Sequence, residues 1–164
     1  MIALESPFQG GRNKDAADDE ETSRGTRKEK AVARLKHYYE PGQVYLITAV
    51  TRRRRTVFSD PDHARIAHED VAFYANKFRA QSLAHVIMPE HVHWVIQPSA
   101  DDFGRFAREE RAKGSRYGEA PNRYYLSKIL QDYQRHVAYE VNKRRGTHGA
   151  KVWQDGFRDD ALRD

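Results

Sequence analysis

The stretch MPEHVHWVIQP, residues 88–98, sets two imidazoles one residue apart inside a run of the composition that builds a sheet. β-Branched and aromatic residues dominate it, and they fit a pleated, half-buried surface. In a strand, residues i and i+2 share a face at a separation of roughly 6–7 Å. His91 and His93 therefore project together with Val95, while Val92, Trp94 and Ile96 take the other side. The apolar flanks place the strand inside a sheet rather than at its rim. Two half-exposed polar residues on a wet sheet face are the plainer reading of such a pair. Two imidazoles at that spacing can also converge on one cation, and the apolar flanks and basic chain favour that reading here. A third ligand has to come from elsewhere. Imidazole donors favour Zn, Ni, Co or Mn over Mg, which needs an oxygen-rich remainder.

The segments on either side supply elements for a small sheet with helices. In RLKHYYEPGQVYLITAV, Pro41 and Gly42 signal a turn, and Val44–Val50 reads as a strand. Four arginines follow, Arg52, Arg53, Arg54 and Arg55. They read either as a solvated strand end or as a phosphate-contacting rim, and position alone does not separate the two. Ser59 or Asp60 can cap a helix with Pro61 in its first turn. Ala67, Val71, Tyr74 and Phe78 then recur on one face of it. SLAHVIM reads as a second strand beside the histidine strand, both near the middle of the sheet. Pro89 and Glu90 between them allow a tight hairpin or a bulged continuation.

Residues 99–122 mix glycine and charge and predict an irregular or partly helical connection. The run from 122 to 146 predicts a long helix with Leu126, Ile129, Tyr133, Val137 and Val141 on its apolar face and Gly146 as its stop. Lys128, Arg135, Lys143, Arg144 and Arg145 fall largely off that face. Trp153 and Phe157 stand four apart in the tail. Residues 9–34 carry both charges and almost nothing apolar, so they cannot bury enough surface to offset their ordering entropy. A disordered polar leader over residues 1–36 is the expectation, with one domain over 37–164.

The chain of 164 residues has a formal net charge of +5 and a pI of about 9.4, carried largely by arginine clusters. That balance points to a polyanionic partner. With no cysteine, disulfides and thiolate metal sites are excluded. There is no apolar run near the roughly 18–20 residues of a membrane span and no signal-peptide core. The expectation is a soluble cytoplasmic protein that does not engage a membrane.

At this point several segments carry a resemblance. VIMPEHVHWVIQP resembles the His-hydrophobic-His signature of the HUH-type single-strand DNA transposases, together with their Met-Pro lead-in. YYEPGQVYLITAVTRRRRTVF, SLAHVIMPEHVHWVIQP, SKILQDYQRHVAYEVNK and VWQDGFRDDALRD follow, in order, the pattern of the REP-associated tyrosine transposases, over roughly residues 37–164. The resemblance implies an α+β fold, one antiparallel sheet of ferredoxin-like HUH type flanked by helices, usually as a homodimer. It implies a bacterial, nucleoid-associated protein engaged in DNA transposition. It further implies that His91 and His93 bind a divalent metal, Mg or Mn, and that a tyrosine cleaves single-stranded or hairpin DNA through a phosphotyrosine. Arg52, Arg53, Arg54, Arg55, Lys128, Arg135, Lys143, Arg144 and Arg145 are the candidate DNA contacts.

In the relatives, the nucleophilic tyrosine lies on a helix beyond the pair that corresponds to Arg163 and Asp164, and the sequence stops at Asp164. The catalytic residue is therefore unassigned, and Tyr133 and Tyr139 are weak substitutes. Two expectations stand side by side: a strand-cleaving transposase, or an inactive, truncated remnant that binds DNA hairpins alone.

Overall fold

The computed structural model describes residues 38–162. The leader expected over 1–36 and the tail pair Arg163 and Asp164 lie outside the described residues. The described chain runs β1 (Val44–Val50), α1 (Pro61–Phe78), β2 (Gln81–Met88), β3 (His91–Gln97), α2 (Ala100–Ala112), α3 (Pro121–Arg144) and β4 (Arg158–Leu162), with short 3-10 turns between some of them. The four strands form one open antiparallel sheet in the order β2-β3-β1-β4. This is the split βαβ arrangement of ferredoxin-like folds, as the sequence leads one to expect.

Burial explains why the elements settle this way. Along β3, Val92, Trp94 and Ile96 are buried while His91, His93 and Val95 are half-buried, an alternation matched by Tyr45, Ile47 and Ala49 on β1. The helices gather on the inner face. Trp94 packs 5.9 Å from Tyr133 of α3, and Tyr133 lies 6.4 Å from Tyr74 of α1. The expected stripe of α3, Leu126, Ile129, Tyr133, Val137 and Val141, is wholly buried. Asp60 is the residue that caps α1, its Oδ1 accepting from the backbone of Asp62 and His63.

Three features differ from the sequence reading. Among the described residues, β2 is an edge strand, hydrogen-bonded only to β3. Its apolar run stays largely exposed at Leu83, Val86 and Met88, and Ile87 packs against the core. Residues 100–112 form a regular helix, because Ser99 and Asp102 make a reciprocal capping box and Phe103, Phe106, Ala107 and Glu110 recur on one buried face. The tail contributes β4, which the polar run RDDAL does not announce. Trp153 is well covered. It packs against Phe58 and Tyr133, and its indole N–H donates to the Gln134 carbonyl at 2.8 Å.

Candidate functional site

The outer face of the sheet collects the residues of interest. Cross-strand registry sets Val86, His93, Thr48 and Arg158 in one row across all four strands, with Met88, His91 and Val50 in the next. Val86 and Met88 are exposed at its rim. Two imidazoles thus sit at the middle of a face whose other members are mostly small or aliphatic.

His91 Nε2 and His93 Nε2 are 3.0 Å apart, with ring centroids at 4.6 Å and the planes at 79°. Each ring is held from behind. His93 Nδ1 lies 3.0 Å from the Thr48 hydroxyl, and His91 Nδ1 lies 3.2 Å from Glu90 Oε1. The carboxylate is close but off the hydrogen-bonding direction, so the buried His91 Nδ1 has no aligned partner among the described residues. A proton on Nδ1 of each ring turns both Nε2 lone pairs toward one point. Without a cation there, one of the two neutral rings carries its proton on Nε2 and donates to the other. Burial, and then the neighbouring His91, holds the His93 pKa below its ordinary value.

The separation suits a shared cation. Two nitrogens about 2.1 Å from one metal ion, at a right angle, stand about 3.0 Å apart. A carboxylate or hydroxyl behind each ring is the usual arrangement for fixing the tautomer of a metal-binding histidine. Among the described residues, no group of three His, Cys, Asp or Glu converges. The pair alone would offer a cation two ligands, with the other positions left to water or to oxygens of a bound molecule.

The arginine run stands beside this pair. Residues 52–54 form an exposed 3-10 turn in which Arg53 and Arg54 hold left-handed backbone, φ 58° and 50°. Such a conformation costs roughly 1–2 kcal/mol per non-glycine residue. Buried Thr51 pins it, its hydroxyl donating to the carbonyls of Arg55 at 2.7 Å and Glu90 at 2.9 Å. Arg54 Nη1 lies 3.9 Å from Glu90 Oε1, the same oxygen that approaches His91. Glu90 therefore links the turn to the imidazoles.

The candidates on α3 divide. Arg144 reaches Asp62 at 3.6 Å and Arg145 reaches His63 at 3.4 Å, at the start of α1. His63 in turn lies 3.1 Å from the carbonyl of Val57, just past the arginine turn. Lys143 is exposed on the same last turn of α3. Lys128 is half-buried and held by both oxygens of Asp132 at 2.5 and 2.6 Å. Arg135 is exposed farther along the helix. Neither of these two stands at the histidines, because α3 packs on the inner face.

All nine tyrosines fall within the described residues, and Tyr45, the only one on a strand, points inward. Tyr133 is fully buried and donates to the Ala67 carbonyl at 3.2 Å, and burial pushes its phenol far above the ordinary value. Tyr139 is 61% exposed but belongs to α3. None is carried on the outer sheet face. Thr48, Thr51, Glu90 and Arg158 join the site beyond the residues the sequence singled out. Only Glu90, adjoining His91, had a local signal.

No family model matches the chain, and no curated protein matches it. Among solved structures, it is similar to that of a REP-associated tyrosine transposase bound to a REP hairpin. The two share 18% identity at a TM-score of 0.48, over 77% of this chain and 60% of that one. The chain thus spans well under two thirds of that protein's length.

Proposed function

We propose that this chain binds single-stranded or hairpin DNA on its outer sheet face, with His91 and His93 holding a divalent cation against a backbone phosphate. The observation that carries the reading is the 3.0 Å approach of the two Nε2 atoms on a face bounded by the arginine turn. When bound, the cation would polarise a phosphoryl oxygen and offset charge there. The rest falls to this chain's own groups. Thr48 and Glu90 hold the rings, and Arg52–Arg55, with Arg144 and Arg145 at the same end, neutralise neighbouring phosphates. The left-handed backbone at Arg53 and Arg54 is a strain of the sort found at binding sites.

For the chemistry, a transposase-like strand cleavage needs a hydroxyl at the cation. No tyrosine among the described residues stands on that face. That observation favours the second reading for this chain taken by itself, which is retention of DNA without a phosphotyrosine adduct.

The test is fluorescence anisotropy with a labelled DNA hairpin and a labelled single strand, in Mn²⁺ or in chelator, across a salt series. The expected result is binding whose logarithm falls linearly with the logarithm of salt concentration, weakened by chelator and by H91A or H93A. Equal, negligible retention at low and high salt would overturn DNA binding. Binding indifferent to both histidines would overturn their part in it. Denaturing gels of the same mixtures should show no protein–DNA band, and a band abolished by replacing one tyrosine would restore the cleavage reading.

A further inference from the structure

A second pair of imidazoles meets on the opposite side of the sheet. His68 is exposed on α1, and His85 is half-buried on the edge strand β2. His85 is paired across to Trp94, which sets it on the inner face, the side of α1. His85 Nε2 and His68 Nδ1 approach to 2.8 Å, with ring centroids 4.7 Å apart. Each ring is aimed at the other from a separate element, seventeen positions away in sequence.

We infer that His68 and His85 form a bidentate site for a late first-row divalent cation such as Zn²⁺, Ni²⁺ or Cu²⁺, which clips α1 to the edge strand β2. The geometry is the main ground. A nitrogen–nitrogen separation of 2.8 Å is a few tenths of an ångström short of the roughly 3.0 Å between right-angle ligands about 2.1 Å from one ion, and about 0.6 Å short of the roughly 3.4 Å between tetrahedral ones, so the rings part to admit the cation. The cation enters by replacing the proton the rings share, and the exposed His68 ring can swing outward by the small amount needed. Donor chemistry sets the class of ion. With two imidazoles and no carboxylate in the pair, the site suits borderline cations that bind nitrogen and disfavours Mg²⁺ and Ca²⁺. The nearest acid in sequence, Glu69, is engaged by Arg65 at 3.3 Å. Among the described residues no third protein ligand converges, so water completes the coordination.

The clip has a structural consequence. Among the described residues, β2 has one edge without a strand partner, and such edges are where sheets fray or add foreign strands. A cation bound only when α1 and β2 are in place favours the folded state by mass action. The site is independent of the His91–His93 pair, since the two pairs occupy opposite faces.

The experiment uses the full, tag-free chain carrying H91A and H93A, so that only the second pair is in question. Zn²⁺ is titrated by calorimetry, and the melting temperature is followed with Zn²⁺ and with Mg²⁺. One Zn²⁺ should bind, the melting temperature should rise with Zn²⁺ and not with Mg²⁺, and H68N added to this background should weaken binding at least tenfold. His68 is solvent-exposed, so H68N leaves the fold intact, as circular dichroism verifies; H85N is the companion variant. No Zn²⁺ binding in the H91A/H93A chain, or binding unchanged by H68N, would overturn the site.

Discussion

The Thr48 hydroxyl lies 3.0 Å from His93 Nδ1, directly across the β1–β3 pairing. A residue of unremarkable sequence context thereby fixes the direction of a ring that the HVH motif only announces. The contact sets the ring's orientation and accommodates the tautomer with a proton on Nδ1, which leaves the Nε2 lone pair free toward His91.

Thr48→Val keeps the shape and the strand propensity while removing that hydroxyl. The expected outcome is an unchanged fold and a loss of Mn²⁺ affinity in the range of about 10–100-fold, the usual cost of losing a partner behind a metal-binding ring. Mn²⁺ titration of Thr48→Val against H93A checks it; unaltered affinity would remove Thr48 from the site.

Arg53 separates strain from binding. In Arg53→Gly the left-handed penalty disappears while the glycine adds unfolded-state entropy, and the two nearly cancel, leaving stability within about 0.5 kcal/mol of the parent. Hairpin affinity should fall, with the salt slope reduced by about one. Urea unfolding and anisotropy at three salt concentrations read the two effects apart.

Trp153→Ala should be among the most damaging single changes outside the helices. It empties the space between Phe58 and Tyr133 and leaves the Gln134 carbonyl without its indole donor. A cost of about 3–5 kcal/mol is expected for a buried aromatic of this size, read as a shift of the urea midpoint.

Acid should weaken the metal-free protein as pH falls through the imidazole range. His93 and His85 are both held below the ordinary imidazole value of 6.5, by burial first and then by the adjoining histidine. Above that value neither state carries the proton, and stability is flat. As pH falls through 6.5 the unfolded chain takes up protons first, so stability declines until the folded rings protonate in turn. Melting temperatures in chelator between pH 7.5 and 5 should show the decline, and a double variant H85N/H93N should flatten it.

Much of the fold was legible because local periodicity and burial agree. The alternation of HVHWVIQ, the stripe Leu126–Val141 and the Asp60–Pro61 start each read the same way at both levels. The shared direction of His91 and His93 followed from the pleat alone. The helix over 100–112 was also written locally, in the Ser99–Asp102 capping box, beneath a surface of charge that obscures its apolar face. β4 could not be read this way. RDDAL has no strand preference of its own and becomes a strand only because β1 presents an open edge of backbone donors and acceptors. The site divides along the same line. Two histidines one residue apart are a property of the chain, since the side-chain period of a strand is local. Thr48 behind His93, Glu90 between His91 and Arg54, and His68 against His85 arise from packing and registry. Those join residues distant in sequence, and only the assembled sheet and helices bring them within bonding reach.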